Sequence, residues 1–298
     1  MTNLSNRSGN GAGLVDYLKA LPQYLLPHHA LSRLLGHLTH ARSRGFKNWF
    51  INNFARLYKL NMDEAVSADA NDYEHFNAFF TRALKPGARN FIGGEEIISS
   101  PVDGAISQLG KIEQGRVFQA KGRSYSVVEL LGGDERLAAQ FEDGEFATIY
   151  LSPRDYHRIH MPISGKLEEM IHVPGRLFSV NPATARVIPR LFARNERVVS
   201  LFNTEAGPMA MVMVGAIFVA SCETVWAGEI TPPAGKKVRS WDYRQASDAP
   251  NLAKGEEMGR FNMGSTVVML LPKGSCSWDA SAQPGAKVVM GQMLAKRL

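Results

Sequence analysis

Gly264 and Ser265 stand directly before a run of five apolar residues, 267–271, that ends at Pro272. Such a run predicts a buried strand, which would place the Ser265 hydroxyl at the mouth of a sheet. There the hydroxyl could attack the carbonyl carbon of Gly264, so that the peptide bond becomes an ester. Elimination of the ester and loss of ammonia would leave a pyruvoyl group at position 265. Gly-Ser-Thr is also a common loop sequence, so the serine needs partners before it indicates chemistry.

Two histidines are candidate partners for the serine. The segment 152–162, SPRDYHRIHMP, holds His157 and His160 three residues apart beside a predicted strand. Its proline and charge content is untypical of plain core, and histidine is the commonest general base near neutral pH. A buried structural histidine remains the alternative for each of them.

An aspartate could complete the set. Asp103 lies in the segment 99–104, SSPVDG, where Asp before Gly is usually a turn residue. A serine nucleophile needs a base, and the base needs a group that fixes its tautomer. Asp103, one histidine and Ser265 would supply these three parts, although the residues alone do not decide which histidine is used.

Short strands are predicted throughout the chain after position 96. Frequent Gly and Pro between them favour an antiparallel sandwich or barrel, so we expect an α+β protein with a β-rich core. A hairpin turn is expected at Gln114-Gly115, and a helical insertion over 127–131 and 135–141. The strands are predicted at 97–98, 105–112, 116–120, 146–151, 165–173, 197–203, 209–221, 264–271 and 287–294.

Amphipathic helices are predicted before this core. The first has an apolar stripe formed by Leu31, Leu34, Leu35 and Leu38, and the second a stripe formed by Phe46, Trp49, Phe50, Phe54 and Leu57. A third helix is expected to start at Asn71 or Asp72 and to end at Pro86-Gly87. Either stripe could pack as ordinary core or lie in a membrane headgroup layer.

Charge favours the membrane alternative. The net charge is +6, yet residues 1–60 hold eight Lys or Arg side chains against one acid, Asp16. Without a zinc, RNP or recognition-helix signature, an anionic lipid surface fits this basic region better than nucleic acid. No run of eighteen apolar residues occurs, and residues 1–13 have the composition of a disordered leader rather than a signal peptide. We therefore expect a peripheral protein on the cytoplasmic face of the cell membrane.

Cysteine content agrees with a reducing compartment. Cys222 and Cys276 are the two cysteines of the chain, which excludes a disulfide framework and a four-cysteine zinc site. Both are expected to be small core residues.

Taken together, the motifs resemble those of the bacterial-type phosphatidylserine decarboxylases. The resemblance runs from about Leu14 to the C-terminus. It rests on PVDG at 101–104, YHRIHMP at 156–162, FARNER at 192–197, ETVWAG at 223–228 and MGST at 263–266. Met263 stands where the bacterial pattern usually has Leu, a volume-conserving difference.

This resemblance implies a specific chemistry. The precursor would cut itself between Gly264 and Ser265 into a β chain, 1–264, and an α chain, 265–298, and Ser265 would become the pyruvoyl cofactor. That cofactor would form a Schiff base with the amine of phosphatidylserine and take up electron density as CO2 leaves. Asp103, His160 and Ser265 would be the processing triad, with His160 as base and Asp103 orienting it. His157 would donate a proton during decarboxylation.

The same resemblance implies partners and a domain organisation. The substrate would be phosphatidylserine in an anionic membrane, the cut chains would stay associated, and a homodimer is favoured. A leader at 1–13, a helical membrane-associating region at 14–90 and a β-rich catalytic domain at 91–298 are predicted.

Two other function classes remain open from the residues. One is a zinc hydrolase built on His157, His160 and Asp103, for which no compact third-ligand motif is found. The other is a non-catalytic lipid-binding module, which predicts an uncut chain without an electrophilic carbonyl.

Overall fold

The computed structural model describes residues 12–217, 221–231, 236–262 and 265–298. The leader predicted for 1–13 therefore falls almost entirely outside the described residues, and so does Gly264. Helices α1 to α8 run over Leu14–Ala20, His28–Thr39, Arg44–Tyr58, Phe76–Phe80, Val127–Leu130, Glu135–Ala139, Pro182–Val187 and Leu191–Arg194. Short 3-10 turns lie at Leu21–Leu25 and Ala70–Asp72.

Strands are the main regular elements of the chain after α4. The first nine, β1 to β9, are Ile97–Ser99, Gly104–Lys111, Arg116–Ala120, Arg123–Ser126, Glu145–Leu151, Arg158–His160, Gly165–Val173, Arg197–Thr204 and Gly207–Val214. The remaining strands, β10 to β18, are Cys222–Thr224, Gly228–Glu229, Arg239–Asp242, Asn251–Leu252, Glu257–Phe261, Ser265–Leu271, Cys276–Trp278, Lys287–Val288 and Met293–Arg297.

The largest sheet has the order β12-β7-β8-β9-β15-β5-β2-β17, with β13 also paired to β7. Its strand pairs are antiparallel. The α+β class, the antiparallel strands and the N-terminal helices are thus confirmed. In the described part of the chain β12 and β17 form unclosed edges, so this sheet is open and is not a closed barrel.

The centre of this sheet is apolar on both faces. Every residue of β15 is buried, as are the last six residues of β9. Strands covered on both sides read as continuous apolar runs, which is why 267–271 could be recognised as a strand from sequence. The main hydrophobic core forms around these strands and the helices that cover them.

The last strand of a smaller sheet comes shortly before β15 in the sequence. Its order is β11-β10-β14-β6, and β14 is followed by residues 262–264 and then by β15. The junction between the two sheets is therefore the position of the predicted cleavage. Two further sheets, β1-β18-β16 and β3-β4, complete the fold.

The prediction of a long third helix was wrong. The chain forms a 3-10 turn at Ala70–Asp72 and then only the short α4, for which His75 is the N-cap because its Nδ1 accepts from the backbone N–H of Ala78 at 3.1 Å. The aromatic residues of α4 pack against Ile51 of α3 in a second core cluster. Core packing of these aromatics was predicted correctly, but their helical extent was not.

Helix α2 turns its polar side inward. His28, Ser32 and Thr39 are buried, whereas Leu34 and Leu38 are 58% and 43% exposed. The apolar stripe of α3 is split between core and surface. Phe50 and Phe54 pack partly against the second cluster, while Trp49 and Leu57 are exposed. None of the described helices is long and apolar enough to cross a membrane.

Candidate active site

Three neighbouring strands bring the predicted site residues to one end of the main sheet. Tyr150 of β5 pairs with Ala105 of β2 on one side and with Thr266 of β15 on the other. Asp103 and Ser265 stand just beyond this row, where β5 ends and the histidine segment begins. Because paired strands lie about 4.8 Å apart, β2 and β15 are separated by roughly 10 Å across β5. The histidine segment contacts both sides, since the backbone N–H of His160 donates to the Pro101 carbonyl at 2.9 Å and the His157 carbonyl accepts from the Phe261 N–H at 3.0 Å.

Ser265 is the first residue of β15 and is fully buried. Its backbone position is fixed by pairing with Leu151. Its Oγ has no hydrogen-bond partner in the described part of the chain, although buried hydroxyls normally have one. The hydroxyl thus has no hydrogen bond with a described residue to give up before reacting. The carbonyl of Gly264 lies outside the described residues.

The segment before the predicted cleavage is anchored by three contacts of Asn262. Its backbone N–H donates to the Ser221 carbonyl at 2.9 Å, its Nδ2 donates to Ser221 Oγ, and its Oδ1 accepts from Asn77 Nδ2 at 3.0 Å. The preceding residue, Phe261, donates its N–H to the His157 carbonyl at 3.0 Å. These contacts hold the chain firmly three residues before Ser265.

His157 is a buried, neutral base. Its Nδ1 lies 2.7 Å from the carbonyl oxygen of Asp155, and because a carbonyl only accepts, Nδ1 carries the proton. Burial lowers the pKa of His157 to about 3, so the ring is uncharged near neutral pH. Nε2 therefore presents a lone pair, and no described residue donates to it. The ring packs 4.2 Å from that of Phe80.

His160 has the same tautomer with a different neighbour. Its Nδ1–H donates to the Gly255 carbonyl at 2.8 Å, and its Nε2 accepts from the hydroxyl of Tyr156 at 3.3 Å. Burial lowers the pKa of His160 and raises that of Tyr156 to about 12. The basic nitrogen of His160 is thus covered by a protonated hydroxyl in this arrangement.

Asp103 is held by an arginine rather than by a histidine. Arg89 Nε donates to its two carboxylate oxygens at 2.9 and 3.1 Å, and Arg89 Nη2 also pairs with it. The backbone N–H of Met290 donates to Oδ1 at 2.8 Å. No hydrogen bond joins Asp103 to His160 in the described chain, and the Gly255 carbonyl orients the imidazole instead. The roles implied for Asp103 and His160 stay predictions.

Several residues of this site carried no signal in the sequence. Arg89 follows a Pro-Gly turn and has no motif of its own, Gly255 acts only through its carbonyl, and Asn262 lies just before the MGST motif without being part of it. Such contacts depend on which loops meet in space. In contrast, the histidine segment and Ser265 can be recognised from the sequence, because imidazole and hydroxyl groups can act as bases and nucleophiles.

The structure offers no metal centre in the parts it describes. No group of three or more His, Cys, Asp or Glu side chains there is arranged to hold a metal ion. Asp103 is engaged by Arg89, and both Nδ1 atoms of the histidine pair face backbone carbonyls.

Known proteins share this sequence over nearly its whole length. A profile described as phosphatidylserine decarboxylase matches residues 76–296, and a second one, described as PSD, matches residues 18–59. The phosphatidylserine decarboxylase proenzyme of Pseudomonas entomophila strain L48 is 59% identical over 276 residues, covering 92% of this chain and 96% of the relative. The protein of the same name from Pseudomonas putida strain GB-1 is 58% identical over 277 residues, covering 93% and 96%.

Proposed function

The chain belongs to the phosphatidylserine decarboxylase family, and on that premise we propose that it converts phosphatidylserine to phosphatidylethanolamine and CO2 through a pyruvoyl group made from Ser265. The observation that carries the proposal is the buried Ser265 hydroxyl at the start of a central strand, for which no described residue is a hydrogen-bond partner. Other buried hydroxyls, such as those of Ser99 and Thr266, also lack a described partner, so it is the place of Ser265 directly after Gly264 that distinguishes it.

Formation of the group uses the chain's own residues. Ser265 Oγ attacks the carbonyl carbon of Gly264, the C–N bond breaks, and the freed nitrogen receives a proton. Removal of the Cα proton of residue 265 then breaks the Cβ–Oγ bond and releases the Gly264 carboxylate. Addition of water and loss of ammonia leave the pyruvoyl group on the new N-terminus. We assign His160 Nε2 as the base for Oγ, which requires Tyr156 to give up its hydrogen bond.

Asp103 is assigned the role of supporting this base. In the uncut chain its carboxylate is paired with Arg89, and it also acts on His160, where it opposes the larger lowering of the pKa by burial. A negative charge nearby favours the imidazolium that forms when His160 takes the serine proton. The anchoring of Asn262 supports the same step, because a fixed carbonyl keeps the reacting atoms in one geometry.

The site also fits the finished cofactor. Ser265 is buried, and its hydroxyl makes no hydrogen bond to a described residue, while His157 presents an unprotonated Nε2 from the segment that follows the neighbouring strand β5. When bound to the chain, a pyruvoyl group supplies an electron sink for the carbanion left by CO2. We assign His157 Nε2 to take a proton from the substrate ammonium and to return it to the substrate Cα after CO2 has left.

A lipid substrate requires a membrane surface, and we propose that α2 and α3 supply the contact. Leu34, Leu38, Trp49 and Leu57 are exposed although they are large and apolar. Basic residues of the same helices, such as Arg33 and Arg56, would favour the anionic cytoplasmic face. The homodimer that the resemblance favours remains a prediction.

The test of the function is the intact mass of the freshly purified protein under denaturing conditions. We expect two chains split before residue 265, with a pyruvoyl mass in place of serine on the small one. Ser265→Ala should give one uncut, inactive chain. The matched control is Thr266→Val, because Thr266 is equally buried and its hydroxyl also has no partner among the described residues; this variant should still cut. A wild-type protein that stays uncut and releases no CO2 from phosphatidylserine would refute the proposal.

A further inference from the structure

Arg82 is a buried cation for which no described residue provides an ion pair. The residue is only 5% exposed, and no described residue accepts a hydrogen bond from its Nε. Among the described residues, the ring of Phe79 lies 5.5 Å from the guanidinium carbon, and the carboxylates of Glu64 and Asp103 act on the guanidinium electrostatically without pairing with it. Burying an ionised group without a partner is unfavourable.

Another buried arginine shows what a structural guanidinium looks like in this fold. Arg197 is 2% exposed, and its nitrogens donate to four backbone carbonyls, those of Glu129, Leu130, Ala193 and Asn195. Arg82 has no such set. The difference indicates that Arg82 is kept for an acceptor that the chain does not itself provide.

The position of Arg82 relates it to the candidate active site. It follows α4, where Phe80 packs 4.2 Å from the ring of His157. The carbonyl of the intervening Thr81 accepts from Arg158 Nε at 2.8 Å. Arg82 is therefore tied to the histidine segment through both preceding residues. Its charge also contributes to the lowered pKa of His157.

We propose that Arg82 binds the phosphodiester of the lipid substrate and so holds the serine headgroup at Ser265 and His157. This inference rests on the proposed function and adds a substrate-binding residue to it. A guanidinium presents two parallel N–H donors, the geometry that phosphate oxygens accept. Burial strengthens such a pair, because water screens it less than at the surface.

The carboxylate of the serine headgroup is the other anion in the substrate, and the chemistry argues against it. A cation paired with that carboxylate would stabilise the ground state, and the interaction would be lost as CO2 departs. The phosphodiester keeps its charge from substrate to product. Pairing with it favours substrate and transition state alike, so its loss should appear in KM rather than in kcat.

The experiment compares Arg82→Gln with the wild type, both as processed enzymes. Short-chain soluble phosphatidylserine gives KM and kcat, and calorimetric titration with short-chain phosphatidylethanolamine gives the Kd of a ligand that has the phosphodiester but no carboxylate. We expect Arg82→Gln to cut itself, to raise both KM and Kd by about 10- to 100-fold, and to change kcat by less than about threefold. Arg116→Gln, at an exposed arginine on β3, should change none of these values.

Arg82→Lys is the second variant. It keeps the positive charge but lacks the parallel N–H donors of the guanidinium. It should cut itself and weaken both ligands by an intermediate factor, and this result supports the proposal even where Arg82→Gln fails to process. If Arg82→Lys also stays uncut, or cuts and binds both lipids as the wild type does, Arg82 has a structural role and the inference is overturned.

Two further outcomes separate the possible anions. A raised KM for phosphatidylserine with unchanged affinity for phosphatidylethanolamine would assign Arg82 to the carboxylate and overturn the phosphodiester assignment. Inorganic phosphate that binds the wild type as tightly as the lipid, and is lost in Arg82→Gln, would make this a general anion site and overturn the assignment to the lipid phosphodiester. Failure of the proposed function itself would be seen separately, in a wild-type protein that does not decarboxylate the lipid.

Discussion

At the scale of single residues, the two histidines differ in what reaches Nε2. Both donate Nδ1–H to a backbone carbonyl, so both have the tautomer of a base. Nε2 of His160 is covered by the Tyr156 hydroxyl, whereas Nε2 of His157 has no described donor. One motif thus provides two bases in different environments, which is the condition for two separate proton transfers.

Replacing each histidine should therefore affect a different step. His160→Ala should slow self-cleavage by about 100-fold or more, the scale of a lost general base, while His157→Ala should still cut and lose most of its turnover. Denaturing gels followed over time measure cleavage, and CO2 release measures turnover. If both variants cut at the same rate, the assignment of separate roles is wrong.

Buried neutral His157 should also make the fold sensitive to acid. Its folded pKa of about 3 lies below the ordinary value of 6.5, so below pH 6.5 the unfolded chain binds a proton that the folded chain does not. The free energy of unfolding should then fall with decreasing pH, by roughly 1.4 kcal/mol per unit, or about 2 kcal/mol between pH 6.5 and 5.

Denaturant titrations of the uncut Ser265→Ala chain at pH 5 to 8 measure this dependence. Adding His157→Asn, whose amide can still donate to the Asp155 carbonyl, should flatten the slope. His37→Asn, at an exposed position of α2, is the control. An unchanged slope in the His157 variant would contradict the burial argument.

Whether a site residue can be recognised from the sequence depends on its residue type. Ser265 and the histidine pair were found because hydroxyl and imidazole groups at strand ends are chemically distinctive. The glycine after Asp103 was read as a turn signal, but a Cβ at Gly104 would lie 2.4 Å from the Tyr150 carbonyl oxygen. Close approach of two strands is a tertiary property, and so is the pairing of Asp103 with Arg89.

At the scale of elements, helical periodicity predicted the leucine stripe of α2 but not the direction in which it faces. The buried His28 of α2 makes one polar and one aromatic contact with the interior. Its Nδ1 accepts from the Leu177 N–H at 3.3 Å, and the centroid of its ring lies 5.0 Å from that of Phe178. Local pattern records which residues share a face. Only the neighbouring chain decides whether that face meets the core.

The exposed leucines give a test of membrane contact. Leu34→Ser with Leu38→Ser should weaken binding to vesicles containing anionic lipid by roughly tenfold or more, because both side chains lose apolar area that would enter the headgroup layer. Flotation or sedimentation with vesicles measures the binding. The soluble fold should keep its stability, since neither leucine is buried.

Phe118→Ser is the matched control, because Phe118 is 44% exposed but lies on β3. It should bind vesicles as the wild type does. Equal losses in the control and in the double variant would mean that general surface hydrophobicity, and not this helix, accounts for binding.

At the scale of the whole molecule, cleavage before Ser265 would place a central strand on the small chain. Strand β15 pairs with β5 along its full length and with β9 on its other side. Strands β17 and β18 of the same segment pair with β2 and β1. The proposed cut precedes the first paired residue of β15, so it breaks no described ladder contact of that strand.

The two chains should consequently remain one particle after processing. We expect native mass spectrometry to show both chains in equal number, with separation only in denaturant, because withdrawing β15 would expose the apolar interior of the main sheet. The uncut Ser265→Ala chain is the control for size. In size-exclusion chromatography it should elute at the same volume as the processed wild type. Loss of the small chain under native conditions would contradict the topology, since a strand paired on both sides cannot leave without unfolding the sheet around it.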